Sequence, residues 1–143
     1  MREVVTLKLN ECINFLLTNA QHTVFQHLKT NLAQFDVTPV QYGVLKCLWD
    51  EDSQPPKQIA KALRLDSSTI TGILDRMENK GLIKRTPYSD DRRTLKVVIT
   101  NDGLKLQKQI EKVIEDTNKH FLQTFSNEEQ SQLKQFLELI ADS

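Results

Sequence analysis

A neutral chain of 143 residues, 38% hydrophobic and 27% charged, has the size and balance of one ordinary soluble domain with a real core. Its two cysteines do not make a disulfide framework, and no apolar run reaches the length needed to span a bilayer. The opening Met1-Arg2-Glu3-Val4-Val5-Thr6 lacks the apolar region and cleavage site of a signal peptide, so a cytoplasmic protein with no membrane partner is expected.

The first element is a long helix over residues 7–35. Leu9, Ile13, Leu16, Leu17, Ala20, Val24, Leu28, Leu32 and Phe35 keep helical spacing, and no Gly or Pro interrupts them. So long a stripe cannot be buried on one small unit and needs a partner surface, from the C-terminus or from another chain. Residues 36–39 stop the pattern and restart it. Thr38 as N-cap, Pro39 at N1 and Gln41 at N3 come near to a capping box. The helix they open runs to about Trp49, with Val40, Val44, Leu45 and Leu48 inward. Tyr42 and Trp49 read either as core aromatics or as pocket lining. Cys47 lies in this apolar helix, and both it and Cys12 read as small buried hydrophobes. A polar linker, residues 50–54, follows.

Pro55 and Pro56 suit a helix start, where a missing N–H costs nothing. Ile59, Ala60 and Leu63 pack inward, Lys57, Lys61 and Arg64 face out, and Leu65 sits in a short turn. Asp66, Ser67 and Ser68 are all good N-cap types. After them Ile70, Ile73, Leu74 and Met77 recur at i, i+3, i+4 and i+7, a single apolar stripe. The opposite face carries Ser68, Thr71, Gly72, Asp75, Arg76 and Asn79, small polar groups with one arginine that can approach base edges and phosphates in a major groove. Gly81 supplies the left-handed residue that stops the helix. Leu82, Ile83 and Lys84 lead into Arg85 and Thr86. Leu95, Val97 and Ile99 then alternate with Lys96 and Val98, the period of a half-buried strand. Between these runs residues 87–94 are polar and rich in turn formers, and read as a loop. Arg92 and Arg93 at the hairpin tip suit the negative potential of a minor groove. Helix, tight turn, second helix and two-stranded wing together read as a DNA-reading module. The charge supports this. Residues 55–100 hold ten basic side chains against five acidic ones, so the neutral total hides a basic module on an acidic scaffold.

After the wing, Asn101 or Asp102 caps a helix running to about Phe125, with Leu104, Ile110, Val113, Ile114, Thr117, Phe121 and Phe125 as its stripe. Ser126-Asn127-Glu128-Glu129 is a capping box and opens a last helix with Leu133, Phe136, Leu137 and Ile140. Apolar stripes at both ends of the chain are what an isologous two-fold dimer interface needs. Catalysis has no support: there is no glycine-rich phosphate loop, nucleophile elbow or His-Glu-x-x-His. His22, His27 and His120 lack metal-ligand spacing, which leaves a site assembled across a dimer as the one route to a metal. Surface or pocket histidines are the plainer reading, and no cofactor or metal is expected.

The module resembles the MarR family of bacterial winged-helix regulators. The resemblance rests on Leu65-Asp66-Ser67-Ser68-Thr69-Ile70-Thr71 through Leu74-Asp75-Arg76-Met77-Glu78, and on the Lys80-Gly81-Leu82-Ile83 exit. Its most specific part is Asp91-Arg92-Arg93 followed by Val98-Ile99-Thr100, and it extends over the flanking helices. It implies a mainly α fold with a small two-stranded β wing, a single domain over 1–143. Within it a winged helix-turn-helix over 36–100 lies between dimerisation helices at 1–35 and 101–143. It also implies a homodimer on a palindromic double-stranded DNA operator, a repressor released by a small-molecule effector or an oxidant.

DNA contacts then fall to Ser67, Ser68, Thr69, Thr71, Gly72 and Arg76 on the helix and to Arg92 and Arg93 on the wing. The family counterpart of Arg93 enters the minor groove. Asp91, negative in a basic wing, is read as structural, pairing with Arg93 or Arg76 to hold the hairpin against the helix. A solvated loop carboxylate is the alternative. Some members sense oxidants through one cysteine near the start of the first helix; that position is Asn14 here, and the tyrosine that follows it is replaced by Thr18. Cys12 stands two residues earlier, roughly 200° around a helix, and redox sensing through it is carried as an alternative within the family. The alternative from another class is a winged-helix interaction module that binds no DNA, which has no need of basic residues on helix and wing together.

Overall fold

The computed structural model describes residues 6–88 and 91–143, and every side chain among them except those of Tyr88 and residues 91–93. Among the described residues seven α-helices and a hairpin follow in order: α1 (Ile13–Leu32), α2 (Pro39–Asp50), α3 (Pro56–Leu63), α4 (Ser67–Asn79), β1 (Ile83–Tyr88), β2 (Asp91–Ile99), α5 (Asn101–Lys105), α6 (Gln107–Leu122) and α7 (Asn127–Ala141). The mainly α fold with a two-stranded wing is as expected. Among the described residues no helix is long and apolar enough to cross a membrane. The chain forms two compact units, Lys29–Lys112 and the pair of segments Met1–Leu28 and Val113–Ser143.

In the unit Lys29–Lys112, Leu32, Leu45, Leu48, Ile59, Ile70, Leu74, Met77 and Ile83 are all but sealed from solvent and form the core. α2 starts on the predicted capping box. Thr38 Oγ1 accepts from Gln41 N at 3.2 Å, and Thr38 N donates to Gln41 Oε1 at 3.2 Å. That box corrects one core assignment. Gln41 is buried and Val40 is 38% exposed, because the glutamine must turn inward to close the box and to receive Lys80 Nζ at 2.9 Å.

The linker before α3 does more than connect. Gln54 forms an isolated β-bridge to Val97 beside the two-stranded hairpin, with Val97 N donating to Gln54 O at 2.7 Å and Gln54 N to Val97 O at 3.1 Å. β1 and β2 are antiparallel, with Ile83 opposite Ile99, Arg85 opposite Val97 and Pro87 opposite Leu95. The strands therefore extend into residues expected to be loop. Ladder hydrogen bonds use only the backbone, so a polar hairpin can pair with no alternating signal, and Pro87 is tolerated because β1 is an edge. Leu95, expected inward, is 39% exposed for the same reason: it lies beyond the core.

Two glycines are required by geometry. Gly81 has φ +76°, the left-handed stop of α4. A Cβ on Gly103 would meet Leu82 O at 2.5 Å and Ile99 Cγ1 at 2.7 Å, so the α5 backbone lies directly on the base of the wing. The cap of α5 is Thr100, not Asn101 or Asp102. Its Oγ1 accepts from Gly103 N at 3.2 Å while donating to Gly81 O at 2.6 Å. The expected single helix to Phe125 is interrupted at Leu106, and Leu104 is 47% exposed rather than part of a buried stripe.

In the other unit, α1 and α6 meet through rings. His27 stacks on His120 with centroids 4.6 Å apart, and Phe121 stands edge-on to both. α7 opens on the predicted Ser126 capping box yet buries no residue. Leu9, Ile13, Leu16, Phe136, Leu137 and Ile140 are all exposed. α1 itself starts later than expected. Leu9–Glu11 form one 3-10 turn, and Cys12 is extended, its N–H bonded to Leu9 O. The apolar period runs on across this break and so cannot mark it. Cys12 precedes the helix, and the 200° rotation argued for it does not apply.

Candidate nucleic-acid interface

The helix-turn-helix is built by local signals. α3 ends at Arg64, in the left-handed region at φ 56°, whose N–H returns to Ala60 O and Lys61 O. Leu65 N also bonds to Ala60 O, at 2.9 Å. Of the three candidate caps, Asp66 is the one used. Its Oδ1 accepts from Thr69 N at 2.7 Å and from Ser68 Oγ at 2.9 Å. These hydrogen bonds to the charged form hold the Asp66 carboxyl below its ordinary value. Ile70, Ile73, Leu74 and Met77 are buried as the spacing predicted.

The outer face of α4 carries the predicted residues together. Ser67, Ser68, Thr69, Thr71 and Arg76 are exposed and Gly72 is partly so. Arg76 makes no ion pair among the described residues. Ser68 donates to Asp66, and Thr71 Oγ1 donates to Ser67 O at 2.7 Å. Both hydroxyls therefore turn lone pairs, not protons, outward. A Cβ on Gly72 would meet nothing within 4 Å, so this part of the helix is open to close approach.

Beside this face lies a groove of about 700 Å³ lined by α3, the start of α4 and β2. Lys57, Lys61, Ser67, Thr71 and Thr94 supply its polar groups, over apolar Ala60, Leu65, Ile70 and Leu95. The lining is mostly apolar, and the two exposed ammonium groups at its edge are the part suited to a phosphate backbone.

The wing is tied to α4 by a residue the sequence reading passed over. Arg85 on β1 reaches Asp75 Oδ1 with Nη2 at 2.6 Å and Glu78 Oε1 with Nε at 3.0 Å. Its backbone N–H also donates to Glu78 Oε1, at 3.1 Å. The two carboxylates raise the guanidinium pKa further above its ordinary value, Glu78 contributing most. A signal existed: Asp75 and Glu78 are three apart on one helix face, with an arginine just beyond the glycine stop. Lys80 makes a second tie, from the end of α4 to Asp36 O at 2.7 Å. Asp91 was expected to hold the hairpin to the helix; its side chain and those of Arg92 and Arg93 lie outside the described residues. The backbone places all three in β2 rather than in a loop at the tip.

The cysteines differ in setting. Burial pushes the Cys47 thiol up, which disfavours the reactive thiolate. Cys12 Sγ donates to Lys8 O at 3.7 Å. Tyr42 and Trp49 are half-buried, and the Trp49 indole donates to Gly103 O at 3.1 Å, so this aromatic has a structural partner.

Comparisons with known proteins converge. The sequence model of the MarR family matches residues 37–95. The organic hydroperoxide resistance transcriptional regulator of Bacillus subtilis is 33% identical over 103 residues, covering 72% of this chain and 70% of that protein. A probable transcriptional regulator from Pseudomonas aeruginosa superposes with a TM-score of 0.87 at 26% identity, covering 93% of this chain and 99% of the other. MepR of S. aureus, solved as a complex with DNA, gives a TM-score of 0.82 at 27% identity over 92% of this chain and 97% of its own. A winged helix-turn-helix of this order, with a relative this similar over most of both lengths, means that the chain belongs to the MarR family of transcriptional regulators.

Proposed function

We propose that this regulator acts in the cytoplasm as a homodimeric repressor, reading a palindromic duplex with α4 in the major groove and the wing beside it. The observation that carries the reading is the outer face of α4. Ser67, Ser68, Thr69, Thr71, Gly72 and Arg76 line one exposed surface, flanked by the lysine-edged groove and by the strand bearing Arg92 and Arg93. The MepR complex with DNA supports it, as a relative of the same fold seen on its duplex. The apolar faces of α1 and α7 supply the surface for the second copy, whose two-fold axis repeats the site one helical turn away, about 34–36 Å. The name of the Bacillus relative makes an organic hydroperoxide the first effector to try.

The test is selection from random duplexes with the purified full chain. An inverted repeat is expected, with half-site centres about 10 base pairs apart. Affinity should fall steeply with salt, since each neutralised phosphate releases counterions. Selection of no sequence would return the chain to the interaction-module reading. Adding a hydroperoxide, or aromatic acids, to the formed complex then separates an oxidant-sensing protein from a ligand-binding one.

A further inference from the structure

Arg85 stands opposite Val97 in the hairpin. Val97 gives both its backbone groups to Gln54, so at this register position the Arg85 N–H points away from β2, out from the free edge of β1. There it meets Glu78 Oε1 at 3.1 Å, and the same oxygen takes the guanidinium Nε at 3.0 Å. Nη2 reaches on to Asp75 Oδ1 at 2.6 Å. Three contacts thus join one wing residue to two carboxylates that share a face of α4.

We propose that Arg85 is a positioning residue for DNA reading: it sets the angle of the wing against α4, so that both elements meet adjacent grooves in one rigid pose. The inference rests on the DNA-reading function proposed above. Stability is not what the contacts chiefly supply. Asp75 and Glu78 side chains are 53% and 39% exposed and Arg85 23%, and ion pairs that keep this much solvent on their carboxylates contribute modestly to folding. The hairpin base has its own anchors: buried Leu82 and Ile83, Thr100 N bonded to Leu82 O at 3.1 Å, and Thr100 Oγ1 bonded to Gly81 O at 2.6 Å. What nothing else described supplies is a fork that fixes the edge strand to the helix surface in two directions at once. A planar guanidinium does this and an ammonium does not.

Two rigidly linked contact elements bind as one, because the second engages at a high effective concentration; a loose link forfeits that gain. Removing the carboxylates instead of the arginine separates positioning from plain electrostatics. Asp75→Ala with Glu78→Ala deletes both acceptors of the fork together with two negative charges from the DNA-facing side, so charge alone predicts tighter binding. Positioning predicts weaker binding.

The experiment measures affinity of the full chain for the duplex selected by wild type, across salt concentrations, together with thermal unfolding and minor-groove hydroxyl-radical protection. Expected for the double variant is a loss of roughly ten- to a hundredfold at nearly unchanged melting temperature. Protection beside the half-site should fade while protection within it persists. Arg85→Lys should recover only part of the loss seen in Arg85→Ala. Binding by the double variant as tight as wild type, or tighter, overturns the inference. If Arg85→Ala alone weakens binding, Arg85 is a direct phosphate contact instead. Were wild type to select no duplex, the DNA-reading function would fall, and the positioning role with it.

Discussion

Gly72 shows how a single atom can separate folding from function. It sits within α4, where a glycine costs helix stability, and an added Cβ would meet nothing within 4 Å. Gly72→Ala is therefore expected to stabilise the fold by about 0.5–1 kcal/mol while weakening DNA binding, because the methyl group stands on the approach surface. Thermal unfolding and duplex titration on the same sample check both halves; a change that raises both would remove Gly72 from the interface. Asp66 gives a pH signature. Its folded carboxyl lies below the ordinary value, so the unfolded chain takes up the proton first. The cap then stabilises fully above the ordinary carboxylate range, and that stabilisation is lost as pH falls through the lower folded value. Asp66→Asn keeps an acceptor without a titration, so its melting temperature should fall less in acid than that of wild type. The cap and the stripe behind it were legible because both are local. For Arg85 only the carboxylate pair on α4 was legible, since the arginine becomes its neighbour only once the strand folds back over α4.

At the scale of elements, the wing is the part where pattern and structure diverge most. Alternation marked Val97 and Ile99, which are buried, but paired strand continues through Pro87 and from Asp91, where no apolar residue is needed. Gln54 shows the same limit: a polar linker residue becomes a bridge partner through backbone alone. For the wing's basic residues the expectation comes from the sequence. Arg93→Ala should lose most operator affinity with dimerisation and melting unchanged, and Arg92→Ala should lose less. Arg93→Lys should restore only part, the ammonium being more strongly hydrated in a narrow groove. Competition assays on one duplex rank the variants; the reverse order would mean that the wing's register on DNA is displaced by one residue.

The molecule as a whole announces an unfinished surface. α7 is amphipathic and buries none of its residues, and Phe136 and Leu139 are 57% and 63% exposed. Covering what remains exposed of such side chains is worth about 1–2 kcal/mol each, which favours a second copy on this face. Leu137→Glu should shift the protein toward monomer in sedimentation, since an unpaired buried charge costs several kcal/mol. A variant that stays dimeric would put the interface elsewhere. The stripes at both chain ends were legible, whereas the division of the chain inside α1 and α6 was not, because the apolar period continues unbroken across it. Within the unit Lys29–Lys112 the bond from the indole of Trp49 to Gly103 O has a practical consequence. Trp49 is the chain's sole tryptophan, so excitation selective for indole reports one site, fixed where α2 meets the loop-to-helix step behind the wing. Its emission colour and quenching need no attached dye, and any signal that moves α2 against α5 will be written there.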